Sequence, residues 1–355
     1  MNKILLITQD YFPNQGGVAR YYKRLVSKLG NRVSVLTSVP GPEEANVFRR
    51  NYFSQLWPAW WPLIKIIPDY YWKTQSKILW AGDLLPVGTV CWFLKMIYKW
   101  PYIVSVHGLD VQLAKTHLVK KYLSKIILHN AKFVICNSEF TAGLVKDITD
   151  ANTVVIHPEP ELIPPADEEL INRLRRMEQL KGKKVVFSMA RLVKRKGIDE
   201  VIQAIDTLVK KHSDFVYIIA GTGPEESRLK SLAQGLPIIF LGAVGDEEAK
   251  AYFAISDIFV LTPQDNKIDV EGFGIVFTEA AMFGKPIVGR AVGGVKEAVG
   301  DNALWVNKVD DLVLALERLL SNNELCTRLG NSAKDYVQKQ IENNKVDLIN
   351  KIFNI

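Results

Sequence analysis

With 355 residues, 48% of them hydrophobic and 23% charged, the chain is long enough for two buried cores of ordinary size and has the composition of a soluble globular protein. Cys91, Cys136 and Cys326 are scattered and odd in number, which argues against a disulfide framework and fits a reducing compartment. The net charge of +7 is unevenly spread. Residues 1–165 carry 19 Lys and Arg against 11 Asp and Glu, the remainder 26 against 27, and seven of the eight Trp precede residue 101. One half is therefore suited to meet an anionic surface.

KILLIT (3–8) reads as a strand, since its apolar run is too short for a secretory signal. DYFPNQGGVAR then leads into a helix near 18–29, followed by a second strand, VSVLTS (33–38). The longest uncharged apolar run, LLPVGTVCWFL from Leu84, has the size of a core helix and falls short of a membrane span. YIVSVH (102–107), FVICNS (133–138) and TVVIHP (153–158) are further apolar runs that end in polar residues. Such alternation predicts a parallel sheet covered on both faces. PEPELIPPADEE, from Pro158, reads as a linker.

A second alternating series follows. KVVFSMA (184–190) is strand-like, and Val201, Ile205, Leu208 and Val209 fall at helical spacing. FVYIIAG (215–221), PIIFLG (237–242), DIFVLTP (257–263) and PIVG (286–289) are the next strands. The expectation is an α/β chain of two doubly wound, Rossmann-like domains, 1–165 and 166–335. Residues 336–355 are expected as a C-terminal helix packing back on the first domain. Ligands of doubly wound sheets bind beyond the carboxyl ends of the strands, so the expected site is an interdomain cleft.

VEGFGIVFTEAAMFGKPIVG (270–289) places two carboxylates, Glu271 and Glu279, in apolar company. Ile275–Phe283 reads as a short helix closed by Gly284. That puts Glu271 in the loop before the helix and Glu279 about one turn inside it. Gly272 and Gly274 allow close approach of a ligand, and the helix start favours an anion. A carboxylate accepts two hydrogen bonds at once, which suits vicinal sugar hydroxyls. Spacing alone leaves a second reading open, a glycine-punctuated loop and a core helix with one acid turned outward.

ARLVKRKGID (190–199) sets Arg191 and Lys196 just beyond a strand, as fixed cations for an anionic ligand or as a solvated basic turn. QGGVARY (15–21) puts Gly16 and Gly17 before a helix, without the GxGxxG of a dinucleotide site. His107, in SVHGLD, ends a strand; a lone histidine is often only structural. Asn137-Ser138 reads most simply as a helix cap. No metal site is predicted, because the five His lack ligand spacing.

EGFG, then EAAxxGKPIV, then VGGVKEAV (292–299) resembles the acid-x7-acid signature of the retaining glycosyltransferases of family 4, which have the GT-B fold. The other parts of that pattern follow in order along essentially the whole chain. The resemblance implies that Glu279 holds the ribose of a nucleotide donor and that Glu271 touches the donor sugar near its reacting carbon. It implies backbone contacts to sugar and phosphates at Phe273, Gly274 and Ile275. Arg191, Lys196 and Gly17 would bind the diphosphate, and the His107 imidazole would stand beside the sugar. Gly221, in AGTGPEE (220–226), and Val244, in LGAV (241–244), would lie near the nucleotide and its base. The implied small molecule is a nucleotide diphosphate sugar as substrate, with no resident cofactor.

The family often has Pro-Asn-Gly where this chain has His157-Pro158-Glu159-Pro160, which leaves acceptor type open. The loop PQDNKIDV before Glu271 resembles bacterial mannosyltransferases that modify phosphatidylinositol, which tilts the donor towards GDP-mannose. A UDP-sugar donor (GlcNAc, glucose or galactose), a nucleotide-sugar epimerase and a non-catalytic nucleotide-binding membrane scaffold are the competing readings.

NYFSQLWPAWWPLIKIIPDYYWK (51–73) clusters Trp57, Trp60, Trp61, Tyr70, Tyr71 and Trp72 with Lys65 and Lys73. LAKTHLVKKYLSKIILHNAK (113–132) carries Lys115, Lys120, Lys121 and Lys125 on a helical pattern with a stripe through Ala114, Leu118, Tyr122 and Ile126. Either that stripe packs on the sheet, or the helix lies on an anionic membrane. No nucleic-acid motif is present. The expected partners are a nucleotide-sugar donor and a glycan or lipid-linked acceptor. The expected location is the cytoplasm, peripheral on the inner face of the cell membrane.

Overall fold

The computed structural model describes residues 3–343 apart from Gln15, Leu56, Lys267 and Ile268. The chain divides into two compact units between Glu159 and Pro160. In the first unit, β1 (Lys3–Thr8), β2 (Val33–Thr37), β3 (Val47–Arg49), β4 (Ser76–Ala81), β5 (Tyr102–Val106), β6 (Val134–Cys136) and β7 (Thr153–Val155) form one sheet. Its order is β3-β2-β1-β4-β5-β6-β7, and every pair is parallel.

Alternation along these strands fills two cores. Leu5, Ile7, Leu79, Ala81, Tyr102 and Val104 point to one face; Ile4, Leu6, Ile78, Trp80 and Ile103 point to the other. Both faces are covered, so β2 and β5 are buried at every position and β1 at all but Lys3. The helix Gly17–Leu29 covers the second face with Tyr21, Tyr22, Leu25 and Leu29, spaced to share one side.

The second unit repeats the plan. Strands β8 (Lys184–Met189), β9 (Phe215–Ala220), β10 (Ile238–Gly242), β11 (Ile258–Leu261), β12 (Ile287–Gly289) and β13 (Leu304–Trp305) are ordered β10-β9-β8-β11-β12-β13, again all parallel. Counted from its own first strand, this sheet has the same 3-2-1-4-5-6 order as the first. Each sheet reverses direction once, between β1 and β4 and between β8 and β11. A doubly wound sheet opens its ligand crevice at the carboxyl ends of those strands.

Three strands escape a reading of the sequence: β3, β4 and β13. β4 is central, yet its buried run Ile78–Ala81 is too short to show any period. The expected C-terminal helix begins earlier than residue 336, as part of Asn323–Glu342 in the second unit. Gly330 fixes it there, since a Cβ at that position would stand 1.9 Å from the Gly284 carbonyl oxygen. The remainder of the expected segment, 344–355, lies outside the described residues.

The lysine-rich stretch also differs from expectation. It is two helices, Leu109–Lys115 and Leu118–Asn130, separated at Thr116 and His117. The interruption breaks the continuous stripe. Ala114 is buried, whereas Leu118 is 88% and Tyr122 68% exposed. Ser124, Ile127 and Leu128 make the buried face of the second helix. Of the earlier aromatic cluster, Tyr71 is buried and stacks on Trp100 at 3.8 Å, while Trp57 is 94% exposed. No helix among the described residues is long and apolar enough to cross a membrane.

Candidate active site

In the second unit the chain leaves β8 through Ala190 and Arg191 and makes a short turn at Lys194–Lys196. Gly197 ends that turn at φ +68°, and a Cβ there would lie 2.0 Å from the Thr262 carbonyl oxygen. The close approach, open only to glycine, presses the basic turn onto the end of β11. The Gln264 N–H adds a bond to the Arg195 carbonyl at 2.7 Å. The side chains of Arg195 and Lys196 thereby meet the segment that carries Glu271.

A single oxygen of Glu271, Oε2, accepts from Lys196 Nζ at 2.5 Å and from Arg195 Nη1 at 2.7 Å. Arg195 Nε also stands 2.7 Å from Asp269 Oδ2. The Glu271 backbone is anchored as well, its carbonyl accepting the Gly294 N–H at 3.0 Å. Burial pushes the Glu271 carboxyl up, but the charges and hydrogen bonds of Lys196 and Arg195 outweigh it and pull the group down to about 2. Glu271 is ionised at any physiological pH.

The other expected donor residues surround this cluster in different ways. Arg191 is exposed beyond β8. Gly221, at φ +128°, has no room for a side chain, because a Cβ would meet the Ala190 carbonyl oxygen at 1.9 Å. The turn after β9 therefore lies against the turn that bears Arg191. Phe273 is buried in the core. Gly274 stands before the helix Ile275–Met282 in the left-handed region, at φ +86°, which favours glycine.

Glu279 is only 3% exposed, and its Oε1 accepts the Leu162 N–H at 3.3 Å. Its carboxylate therefore has a partner in the linker. Val244 follows β10 and is half-buried. β10 lies two strands from β8, which at the usual strand spacing is about 10 Å.

The first unit has its own polar cluster at the carboxyl ends of β1, β4 and β5. The Tyr22 hydroxyl donates to the Gly82 carbonyl at 2.6 Å and stands 2.8 Å from His107 Nε2. A hydroxyl has one proton, so a Tyr22 that gives it to Gly82 accepts from His107. The imidazole then carries its proton on Nε2, and Nδ1 keeps a lone pair. Tyr21 and Tyr22 also meet the ring edge-on, with centroids at 5.6 and 5.4 Å. Burial pushes the imidazole down to about 4, which keeps it neutral at pH 7.

Two acids flank it. Asp83 Oδ2 accepts the Gln9 N–H at 3.1 Å, and Asp110 Oδ1 accepts the His107 and Val111 N–H groups at 3.0 and 2.9 Å. Burial pushes Asp83 up to about 7, helped by the charges of Asp110 and Asp10, and pushes Asp110 up to about 6. Gly17 is exposed at the first position of its helix, and the neighbouring Gly16 lies close to the Asp10 carboxylate. Ser138 is the helix cap expected, accepting the Thr141 N–H at 3.1 Å.

The structure thus brings Glu271 and Lys196 into direct contact, packs Gly221 on the Ala190 backbone that precedes Arg191, and sets His107 and Gly17 in the first unit. Tyr22, Asp83, Asp110 and Arg195 were not singled out by the sequence. Arg195 and Asp110 lie inside motifs that were, next to Lys196 and in SVHGLD; nothing in the sequence says which way they point.

Residues 15–158 match the family model described as Glycosyltransferase Family 4, and residues 171–336 the model described as Glycosyl transferases group 1. The chain belongs to these glycosyltransferases. It is 24% identical to the GDP-mannose-dependent alpha-(1-6)-phosphatidylinositol monomannoside mannosyltransferase of Mycobacterium tuberculosis, over 96% of this chain and 94% of that one. Among solved structures, the sucrose-phosphate synthase of Thermosynechococcus elongatus matches with a TM-score of 0.82 at 19% identity, over the whole of both chains. Anabaena HepE in complex with UDP-glucose matches with 0.79 at 18% identity, over 100% of this chain and 98% of that one. These likenesses show the GT-B fold.

The half-buried Asp83 of the first unit has a measurable consequence. In the unfolded chain Asp83 ionises near 3.8, whereas in the folded protein it holds its proton up to about 7. The unfolded state therefore binds fewer protons across that window, and Asp83 lowers stability progressively as pH rises from about 4 to about 7. His107 acts oppositely, since its folded value of about 4 lies below the ordinary 6.5 and it costs stability as pH falls between them. Asp83→Asn should raise the unfolding temperature, by an increment that grows from pH 4 to pH 7 and is level above. Thermal unfolding of the two proteins at four pH values checks this; an increment independent of pH contradicts it.

Proposed function

We propose that this glycosyltransferase moves a hexose from a nucleotide diphosphate sugar to a glycan or lipid-linked acceptor, without a bound metal and with retention of the donor's anomeric configuration. The observation that carries this reading is the Glu271–Lys196–Arg195 cluster at the carboxyl ends of β8 and β11, where the second sheet reverses direction. Arg191 and Lys196 stabilise the diphosphate as it leaves, the cationic form of transition-state stabilisation. Glu271 positions the donor sugar, and Glu279 holds the ribose. The backbone of Phe273, Gly274 and Ile275 lines the sugar and phosphates, while Gly221 and Val244 face the nucleotide.

Gly17 and His107, in the first unit, take the roles the family resemblance implies. Gly17 contacts the diphosphate, and a neutral His107 accepts a sugar hydroxyl through Nδ1. No nucleophile of the protein is assigned, so the substitution is on the front face. The bond from the anomeric carbon to the diphosphate oxygen breaks as the bond to the acceptor oxygen forms on the same side. The departing diphosphate takes the acceptor's proton, and atoms and charge balance without another reactant.

GDP-mannose is the donor favoured by the mycobacterial relative and by the loop before Glu271. The UDP-glucose bound by HepE favours a UDP-sugar as the second reading. Incubation with each donor and a lipid-linked acceptor should give a glycoside whose anomeric coupling, read by NMR, matches the donor's α configuration. Arg191→Ala should lower the rate about a hundredfold or more. Inversion at the anomeric carbon, or an unchanged rate in the variant, would contradict the mechanism. An epimerised nucleotide sugar from donor alone would point to an epimerase.

The acceptor's membrane location is part of the same reading. Leu118, Tyr122 and Val119, the last 81% exposed, stand beside the exposed Lys120 and Lys121 at the start of one helix. Apolar side chains among lysines suit the headgroup region of an anionic bilayer, at about 1 kcal/mol per lysine near the surface. The protein should sediment with vesicles containing phosphatidylglycerol and be released by salt. Leu118→Ser with Tyr122→Ser should weaken the association. Equal binding to purely zwitterionic vesicles, or none to anionic ones, contradicts the peripheral location.

A further inference from the structure

The cation that the reaction needs for the diphosphate is already engaged. Lys196 Nζ lies on Glu271 Oε2, and the same oxygen takes Arg195 Nη1. The two cations are held differently. Arg195 spans two acids: Nη1 hydrogen-bonds Glu271 at 2.7 Å, and Nε stands 2.7 Å from Asp269 as an ion pair outside hydrogen-bond geometry; its backbone carbonyl is tied to Gln264. Lys196 has Glu271 as its one ion-pair partner among the described residues. A guanidinium is a planar fork that two carboxylates fix in place, whereas an ammonium is a point charge on a flexible stem. The residue free to move is therefore Lys196.

We propose that Arg195 is the positioning residue of this site, keeping the Glu271 carboxylate neutralised and in place so that Lys196 can pass from Glu271 to the donor's diphosphate. The proposal rests on the donor-binding reading of Arg191, Lys196 and Glu271 given above. Without Arg195, moving Lys196 onto the diphosphate would leave a part-buried carboxylate bare beside several negative oxygens. Two like charges at that distance repel, and an unpaired buried charge is costly. Glu271 would then retain Lys196, and the diphosphate would have to compete for it. With Arg195 in place, Glu271 keeps one cation throughout and the exchange is between two paired states. Arg195 itself touches no reacting atom in this scheme.

The test measures GDP and UDP binding by calorimetry, because the free nucleotides lack the sugar that Glu271 contacts. Arg195→Gln should weaken whichever nucleotide binds the wild type by about tenfold or more. Adding Glu271→Gln removes the competitor for Lys196 and should return the affinity to near that of the wild type. Arg195→Lys, which keeps a charge but cannot span both acids, should fall between, and it carries the test if Arg195→Gln does not fold. In steady state the single variant should raise the donor KM more than it lowers kcat.

Wild-type affinity in Arg195→Gln would overturn the proposal. So would a double variant as weak as the single one, which is what a purely structural arginine gives. If neither nucleotide binds the wild type, the donor-binding reading falls, and the proposal falls with it. Wild-type binding with no rescue leaves that reading standing and removes only the role of Arg195.

Discussion

One carboxylate oxygen with two cations on it holds the second unit's site together. Glu271 is 16% exposed, so its charge is poorly solvated and would be unfavourable alone. Burial raises its pKa and the cations lower it; that the group ends near 2 shows which effect wins. The same ion pairs stabilise the fold. A carboxyl depressed from its ordinary 4.5 contributes stability that is fully present above that value and is lost as pH falls towards about 2. They also fasten two pieces of chain to each other, the turn after β8 and the loop that runs from Asp269 to Gly274.

The topology explains why the charges gather where they do. In both sheets the strand order reverses once, and at that point neighbouring connections leave on opposite faces. The carboxyl ends of β8 and β11 open there, and Gly197 against Thr262 closes the distance between their loops. In the first sheet the corresponding ends gather Asp83, Tyr22, His107 and Asp110. The two clusters differ in character. The second unit holds ionised groups paired with opposite charge. The first holds groups that burial drives towards neutrality, a neutral imidazole and two acids raised towards 6 and 7. An anionic donor suits the former, and the hydroxyls of a sugar suit the latter.

Much of the fold was legible because parallel strands buried on both faces read as continuous apolar runs, as in KILLIT and FVYIIAG. β4 was not, since four apolar residues in a row carry no period. The lysine-rich helix misled because helical spacing presumes continuity, and the break at Thr116-His117 moved Leu118 and Tyr122 off the line through Ala114. Glu271, Lys196 and His107 were legible only through a motif, and their partners less so. KRK shows three adjacent cations, and only the folded turn distinguishes Arg195, clamped between two acids, from an exposed Lys194. An acid such as Asp83 after an apolar run gives no sign that it will be half-buried with a raised pKa.

The central claim is that the basic turn after β8 holds the diphosphate of a nucleotide. Thermal unfolding with GDP, UDP and ADP, on the wild type and on Lys196→Ala, tests it most directly. A ligand at about a hundred times its dissociation constant adds roughly 2.7 kcal/mol, a shift of roughly 5–10 °C for a domain of this size. GDP or UDP should give such a shift in the wild type and little of it in Lys196→Ala. No shift with any nucleotide, or an equal shift in both proteins, would contradict the claim.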